Sequence, residues 1–310
     1  MDFKVGLIGY GTVGRGVVKI LNELYPGSLA AVAKRNFTDT DRKLLDQQGV
    51  LAFTDWTEVV HHPEVQIVVE VIGNPPVAQL IIETALQRGL PVVTANKSLL
   101  ATTAGLELIK TARQKAIPLR YEAAVGGGIP IVNSLGQDYL GDVITGIRGI
   151  LNGTTNFILS SMTNAGLDYA SALAQAQNLG FAEADPSDDV QGYDSANKLA
   201  ILSRLAFGRD YIKDDVQVTG ITDITPKMIA SASIQGQVYK LIATSYCEDL
   251  RVQPELVPVN SVWGLVNGGN SLIEIETKFR QKLHYYGLGA GSEPTAAAVV
   301  NDIVLAAKEL

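Results

Sequence analysis

The stretch that decides the fold is Lys4–Leu24, KVGLIGYGTVGRGVVKILNEL. Its opening, KVGLI, is a short apolar run that predicts a strand over Lys4–Ile8, and Val13–Leu24 carries the spacing of an amphipathic helix. Between them lies Gly9-Tyr10-Gly11-Thr12-Val13-Gly14. A G-x-G-x-x-G pattern alone is common, but between a strand and a helix each glycine has a physical role. Gly9 permits the tight turn, Gly11 lets a pyrophosphate approach the backbone, and Gly14 allows helix and strand to pack closely. The first helical amides, around Thr12 and Val13, would then face the anion. A glycine turn with no ligand is the plainer reading, and the flanking strand and helix count against it.

Working outward, further strands are expected at Leu29–Ala33, Gln66–Ile72, Pro91–Thr94 and Pro118–Glu122. Helical patterns lie between them, at Asp41–Gln48, Val77–Arg88 and Leu100–Lys115. Valine- and isoleucine-rich strands alternating with helices indicate buried parallel βαβ units, hence an α/β, Rossmann-like domain. After Gly126-Gly127-Gly128-Ile129-Pro130 the rhythm changes. Strands are expected at Val143–Leu151, Gln237–Ser245, Leu250–Val257, Ser271–Glu276 and Lys282–Tyr286. Helices are expected at Thr155–Asn164, Tyr169–Asn178, Ser195–Phe207 and Pro294–Glu309. The resulting division is a dinucleotide-binding domain, 1–130 with 287–310, and an α+β substrate and dimerisation domain, 131–286.

Composition narrows the function. With 310 residues the chain has room for about two domains. A hydrophobic content of 46% with 18% charged residues is globular, and a net charge of -7 argues against nucleic acid as a partner. No uninterrupted apolar stretch is long enough to span a bilayer, so no membrane association and a cytoplasmic location are expected. Cys247 is the only cysteine, which excludes an intramolecular disulfide and a cysteine zinc cluster. With only His61, His62 and His284 available, proton transfer is expected to fall to another residue type.

Three segments hold the remaining chemistry. Near the end of the second strand, where an NAD site usually carries an acid, the chain reads Ala33-Lys34-Arg35-Asn36, with no acid until Asp39. Lys34 and Arg35 therefore favour NADP over NAD, although two cations also suit a solvated loop. Lys97 follows a strand at the carboxyl edge of the sheet, where ligands bind in open α/β folds, so it is a candidate for cofactor or substrate contact. Glu183, Asp185, Asp188, Asp189 and Asp194 form an acidic segment. It lacks the calcium-loop pattern, since Val190 stands where the loop glycine belongs, so it suits a cationic substrate group better than a divalent metal, with a solvated turn as the plain alternative. Asp194 and Lys198 share one helix face; an ion pair on a surface helix is the plain reading, and the apolar Leu199–Leu202 beside them stands against it.

These motifs together resemble homoserine dehydrogenase. The resemblance rests on GLIGYGTVGRGVV, TANKSLLA, YEAAVGGGIPI, RGILNGTTNFIL, NLGFAEADPSDDVQGYDSANKLAIL, GITDITP and GLGAGSEPTAAAVV, which cover nearly the whole chain. It implies reversible NAD(P)-dependent reduction of L-aspartate 4-semialdehyde to L-homoserine, on the route to threonine, methionine and isoleucine. By the same resemblance Lys198 is the general acid, Lys97 a second active-site lysine, and Glu183, Asp189 and Asp194 the carboxylates that hold the substrate amine and order the lysine. Gly180 and Gly289 become cofactor contacts. A monovalent cation, Na+ or K+, is implied on the backbone carbonyls of Glu122, Val125, Gly127 and Ile129, where a glycine-rich hinge is an equal alternative. The resemblance also implies a homodimer, and no appended regulatory domain is expected after Leu310.

The segment Pro258–Gly264 departs from the family pattern, as does the Lys34-Arg35 ending. The competing readings are another two-domain amino-acid dehydrogenase and a catalytically silent dinucleotide-binding sensor. The presence of Lys198 and Glu183 weighs against both.

Overall fold

The computed structural model describes residues 3–310; residues 1 and 2, with which the first expected domain begins, lie outside the described residues. Two compact units emerge, one running to Gly128 and resuming at Gly291–Leu310, the other spanning Ile129–Ala290.

The first unit contains β1 (Val5–Ile8), α1 (Thr12–Leu24), β2 (Leu29–Ala33), α2 (Asp39–Gln47), β3 (Leu51–Phe53) and α3 (Trp56–Val60). It continues with β4 (Ile67–Glu70), α4 (Pro75–Gln87), β5 (Val92–Thr94), α5 (Lys97–Leu100), α6 (Thr103–Gln114) and β6 (Leu119–Arg120). All six strands are parallel, in the order β3-β2-β1-β4-β5-β6. Strand order reverses beside β1, which opens a crevice at the carboxyl ends of β1 and β4.

Both faces of this sheet are covered, so its central strands are buried without alternation and apolar except for Glu70 at the end of β4. Successive side chains serve different cores: Val5 and Leu7 pack with Val17, Leu21, Val299 and Ile303, whereas Ile8 packs with Ala78, Ile81 and Ile82. The C-terminal helix, Ser292–Ala307, lies against α1 closely enough that a Cβ on Gly16 would sit 2.7 Å from that of Ala296.

β3 and α3 escape the sequence pattern because they are short and Leu51 is exposed. The expected helix Leu100–Lys115 is two helices. Thr102 breaks it by capping α6, its hydroxyl accepting the Gly105 amide at 3.2 Å. The strand expected over Pro118–Glu122 keeps only two residues, since the chain turns at Glu122–Ala124, where the Glu122 amide donates to Asp302 at 2.7 Å.

The second unit holds α7 (Ile131–Gln137), β7 (Ile144–Ile150), α8 (Gly153–Ala165), α9 (Tyr169–Asn178), α10 (Ser187–Val190) and α11 (Tyr193–Phe207). β8 (Gln217–Val218), α12 (Pro226–Ile234), β9 (Gln237–Tyr246), β10 (Asp249–Pro258), β11 (Asn270–Thr277) and β12 (Gln281–Leu288) complete it. Its mixed sheet runs β12-β11-β7-β9-β10-β8, antiparallel except where β8 meets β10. Helix α11 is buried without interruption from Asp194 to Arg204; Asp194, Lys198, Ser203 and Arg204 find partners inside the protein, whereas Ser195 Oγ and Asn197 Oδ1 have no hydrogen-bond partner among the described residues. Among the described residues no helix is long and apolar enough to cross a membrane.

Candidate active site

The glycine turn separates two reasons for having glycine. Gly9 has φ +108°, and a Cβ there would meet the Val71 carbonyl oxygen at 2.8 Å. A Cβ on Gly14 would lie 2.0 Å from the Gly9 oxygen. The turn itself therefore demands these two. At Gly11, by contrast, a Cβ would meet nothing within 4 Å. Gly11 is the N-cap of α1 and offers no side-chain cap, and the first helical turn, which opens with Thr12 and Val13, has no acidic residue. Open space before uncapped amides fits a pyrophosphate, so the residues present suit a dinucleotide.

At the end of β2, Lys34 does not project freely. Its Nζ pairs with Asp41 at 2.7 Å, and Arg15 from α1 pairs with the other Asp41 oxygen at 2.6 Å. Burial alone would raise the Asp41 carboxyl, but Lys34, the Thr38 amide and Arg15 outweigh it and hold it at about 2. The Arg15 guanidinium also stands 4.9 Å from the centre of the Tyr10 ring. Arg35 is exposed beside this group. Neither Asp41, two residues beyond Asp39, nor Arg15 follows from the fingerprint spacing; the place of Arg15 immediately after Gly14 is the available signal.

At the end of β5, Asn96 caps α5 by accepting the Leu99 amide at 3.1 Å and donates to the Ile72 carbonyl at 3.0 Å. Glu70 lies beneath, buried, accepting the Ile72 amide at 2.7 Å and the Thr94 hydroxyl at 2.5 Å. Burial pushes its carboxyl up to about 7, against the lowering effect of those hydrogen bonds. Lys97, half-buried, is the first residue of α5.

In the second unit, Lys198 is buried on α11 and donates to Asp194 Oδ2 and to the Leu151 carbonyl, both at 2.7 Å. Asn152 links this pair to Asp189: its Nδ2 donates to Asp189 Oδ1 at 2.6 Å and to Asp194 Oδ2 at 2.8 Å. Burial and the neighbouring Asp194 charge raise the Asp189 carboxyl, while Asn152, Lys198 and Thr154 oppose the rise. Two carboxylates thus stand around one ammonium.

Glu183 does not join them. It lies exposed on the turn after α9, and among the described residues its side chain has no hydrogen bond to the Asp189–Lys198 group. Gly180, at φ +78°, begins the same turn, which is fastened to α8 by the Thr154 hydroxyl donating to the Phe181 carbonyl at 2.6 Å. Gly289 has a packing reason of its own, since a Cβ there would come within 1.8 Å of Ser271 Oγ. A second buried lysine, Lys240, was not singled out from sequence. It donates to Asn156 Oδ1 at 3.0 Å and to the Val266 carbonyl, and burial lowers it to about 8.

The segment implied to hold a cation turns through Gly126 and Gly127, at φ +79° and +58°. The Glu122 carbonyl already accepts the Val125 amide at 3.2 Å, and in the second unit the Ile129 carbonyl accepts the Ile131 amide at 2.8 Å. Among the described residues no cluster of three or more His, Cys, Asp or Glu could hold a metal ion.

Comparison with known proteins bears on both units. Residues 9–122 match the family described as "Homoserine dehydrogenase, NAD binding domain", and residues 130–304 match "Homoserine dehydrogenase". A homoserine dehydrogenase of Mycobacterium tuberculosis is 42% identical over 98% of this chain and 72% of its own length. A solved homoserine dehydrogenase from Thiobacillus denitrificans superposes with a TM-score of 0.92 at 36% identity, over 99% of this chain and 73% of that one. A hyperthermophilic archaeal homoserine dehydrogenase in complex with NADPH gives a TM-score of 0.85 at 25% identity, over 100% and 99% of the two chains. With both family matches falling on the units that carry the glycine turn and the buried lysine, the chain belongs to the homoserine dehydrogenase family of NAD(P)-dependent oxidoreductases acting on a CH–OH group.

Proposed function

We propose that this chain reversibly reduces L-aspartate 4-semialdehyde to L-homoserine, with Lys198 as the general acid. The observation that carries this reading is the hydrogen bonding of Lys198. Its ammonium has three N–H groups, and Asp194 and Leu151 take two of them. The third is left to meet a carbonyl oxygen. When bound, the cofactor supplies hydride to the aldehyde carbon. As negative charge grows on the oxygen, the Lys198 ammonium stabilises it and then gives up a proton to form the hydroxyl. In the oxidation direction neutral Lys198 takes the hydroxyl proton back. The two carboxylates Asp189 and Asp194, set against one ammonium, leave an uncompensated negative charge that suits the substrate's α-ammonium group, with Glu183 a further contributor.

NADP is the favoured dinucleotide, over NAD. Arg15 and Lys34 bring two positive charges to the single carboxylate of Asp41, and Arg35 adds a third cation. The net positive charge suits a 2′-phosphate, and the NADPH complex of the archaeal relative supports the reading. Gly9, Gly11, Thr12, Val13, Gly14, Lys97, Gly180 and Gly289 complete the proposed cofactor contacts. The dinucleotide-binding domain is assigned to 1–130 with 287–310, and 131–286 to substrate binding and to a homodimer formed through its strands. A Na+ or K+ ion on the carbonyls of Glu122, Val125, Gly127 and Ile129 and a cytoplasmic location complete the proposal.

The test is direct. Purified protein should oxidise L-homoserine with NADP or NAD, followed by absorbance of the reduced cofactor. Absence of turnover with both cofactors from neutral to alkaline pH overturns the reading.

A further inference from the structure

Asn152 performs no step of the proposed reaction, yet Lys198, Asp189 and Asp194 are each tied to it or to its neighbour. As the N-cap of α8 it commits its Oδ1 to the Thr155 amide at 2.8 Å and the Thr155 hydroxyl at 3.0 Å. With the oxygen so engaged, Nδ2 points the other way, and its two N–H groups are spent on Asp189 Oδ1 and Asp194 Oδ2. These carboxylates come from α10 and α11 and repel each other. The preceding residue, Leu151, offers its carbonyl to Lys198. Asn152 is 4% exposed, so water has little access to replace its amide.

We propose that Asn152 is a positioning residue, a neutral clamp that holds Asp189 against Asp194 so that both face one substrate ammonium while Asp194 stays on Lys198. The inference rests on the reading of Lys198 and the two aspartates given above. Neutrality matters. A lysine or arginine in this place would gather the carboxylates equally well but would cancel the charge that recognises the amine. Asp189 faces Asp194 and Lys198 on α11, the Thr154 hydroxyl and Asn152 amide on α8, and has Asp188 beside it on α10. Among these only Lys198 is cationic, so losing the amide leaves the repulsion with one fewer opponent.

Asn152→Ser and Asn152→Asp test this, because each keeps an oxygen to cap α8 and removes the amide donor. The Asn152→Asp change is also isosteric, so it carries the test if the shorter serine loosens the helix. In variants that melt near the wild-type temperature, KM for L-homoserine should rise about tenfold or more, with a smaller fall in kcat and unchanged affinity for NADPH. The acid limb of kcat/KM should move to higher pH, further for Asp than for Ser. A wild-type KM and acid limb in both variants overturns the inference, as does a loss confined to kcat with the acid limb in place. Failure of the underlying reading is distinct: wild-type protein would then neither turn over L-homoserine nor bind it by calorimetry.

Discussion

Two strand-to-helix turns in this molecule share an extended N-cap and have opposite chemistry. After β1, the chain enters α1 through Gly11, an extended N-cap without a side chain, with open space before it and no acid in the first turn. After β7, it enters α8 through Asn152, also extended, whose side chain closes the helix end and gathers two carboxylates. A helix N-terminus carries partial positive charge in both places. At Gly11 that charge is left exposed, which suits an anion. At Asn152 it is covered, and the surrounding aspartates suit a cation. The cap, not the helix, sets the sign of charge that each turn favours.

The largest effect that would break this contrast is on turnover. Lys198→Ala should lower kcat by about a hundredfold or more, the usual worth of a general acid, while NADPH still binds as in the wild type. If turnover survives, proton transfer must pass to Lys97. The contrast sharpens when glycines of the first turn are replaced. Gly14→Ala forces a Cβ against the Gly9 carbonyl and should cost stability of about 3 kcal/mol, seen in the denaturant midpoint. Gly11→Ala should cost only about 1 kcal/mol as a poorer cap, yet weaken cofactor binding. Equal stability losses in the two variants would mean that Gly11 is there for the protein alone.

Smaller effects separate the charges. Replacing Lys34 and Arg35 together by alanine should weaken NADP about tenfold more than NAD. An equal effect on both cofactors removes the 2′-phosphate argument. Acidification should then act on one turn and not the other. The carboxyl of Asp189 is raised by burial and by Asp194, so it protonates at higher pH than an ordinary aspartate. Above that point its charge attracts the substrate ammonium; below it the attraction is lost, and KM for L-homoserine should climb. The carboxyl of Asp41, held at about 2, stays ionised throughout, so it adds no pH dependence to NADH affinity over the same range. A parallel decline in both would place the titrating group elsewhere.

Much of the framework was legible because its signals are local. β2 is observed as Leu29–Ala33 and α9 as Tyr169–Asn178, both as expected, since an apolar run or a helical period lies within one element. The break in the helix expected over Leu100–Lys115 was missed, because Thr102 also reads as an ordinary helical residue until its hydroxyl finds the Gly105 amide. In the site, the acidic segment and Lys198 stood out by composition and spacing. Which acids act together did not. Glu183 and Asp189 are near each other in sequence, yet one is exposed and the other shares a buried amide with Asp194.

The sequence by itself determined the two-domain α/β plan, the glycine turn and the family, all of which rest on periodicity or on contiguous motifs. Only the tertiary structure decided that Asp41 holds Arg15 and Lys34, that Glu70 is buried beneath the β5 turn, and that Asn152 joins Asp189 to Asp194. Hydrogen bonds and charge pairs act over about 3 Å. Residues as far apart in sequence as Asn152 and Asp194 come within that range only when β7, α8, α10 and α11 have packed.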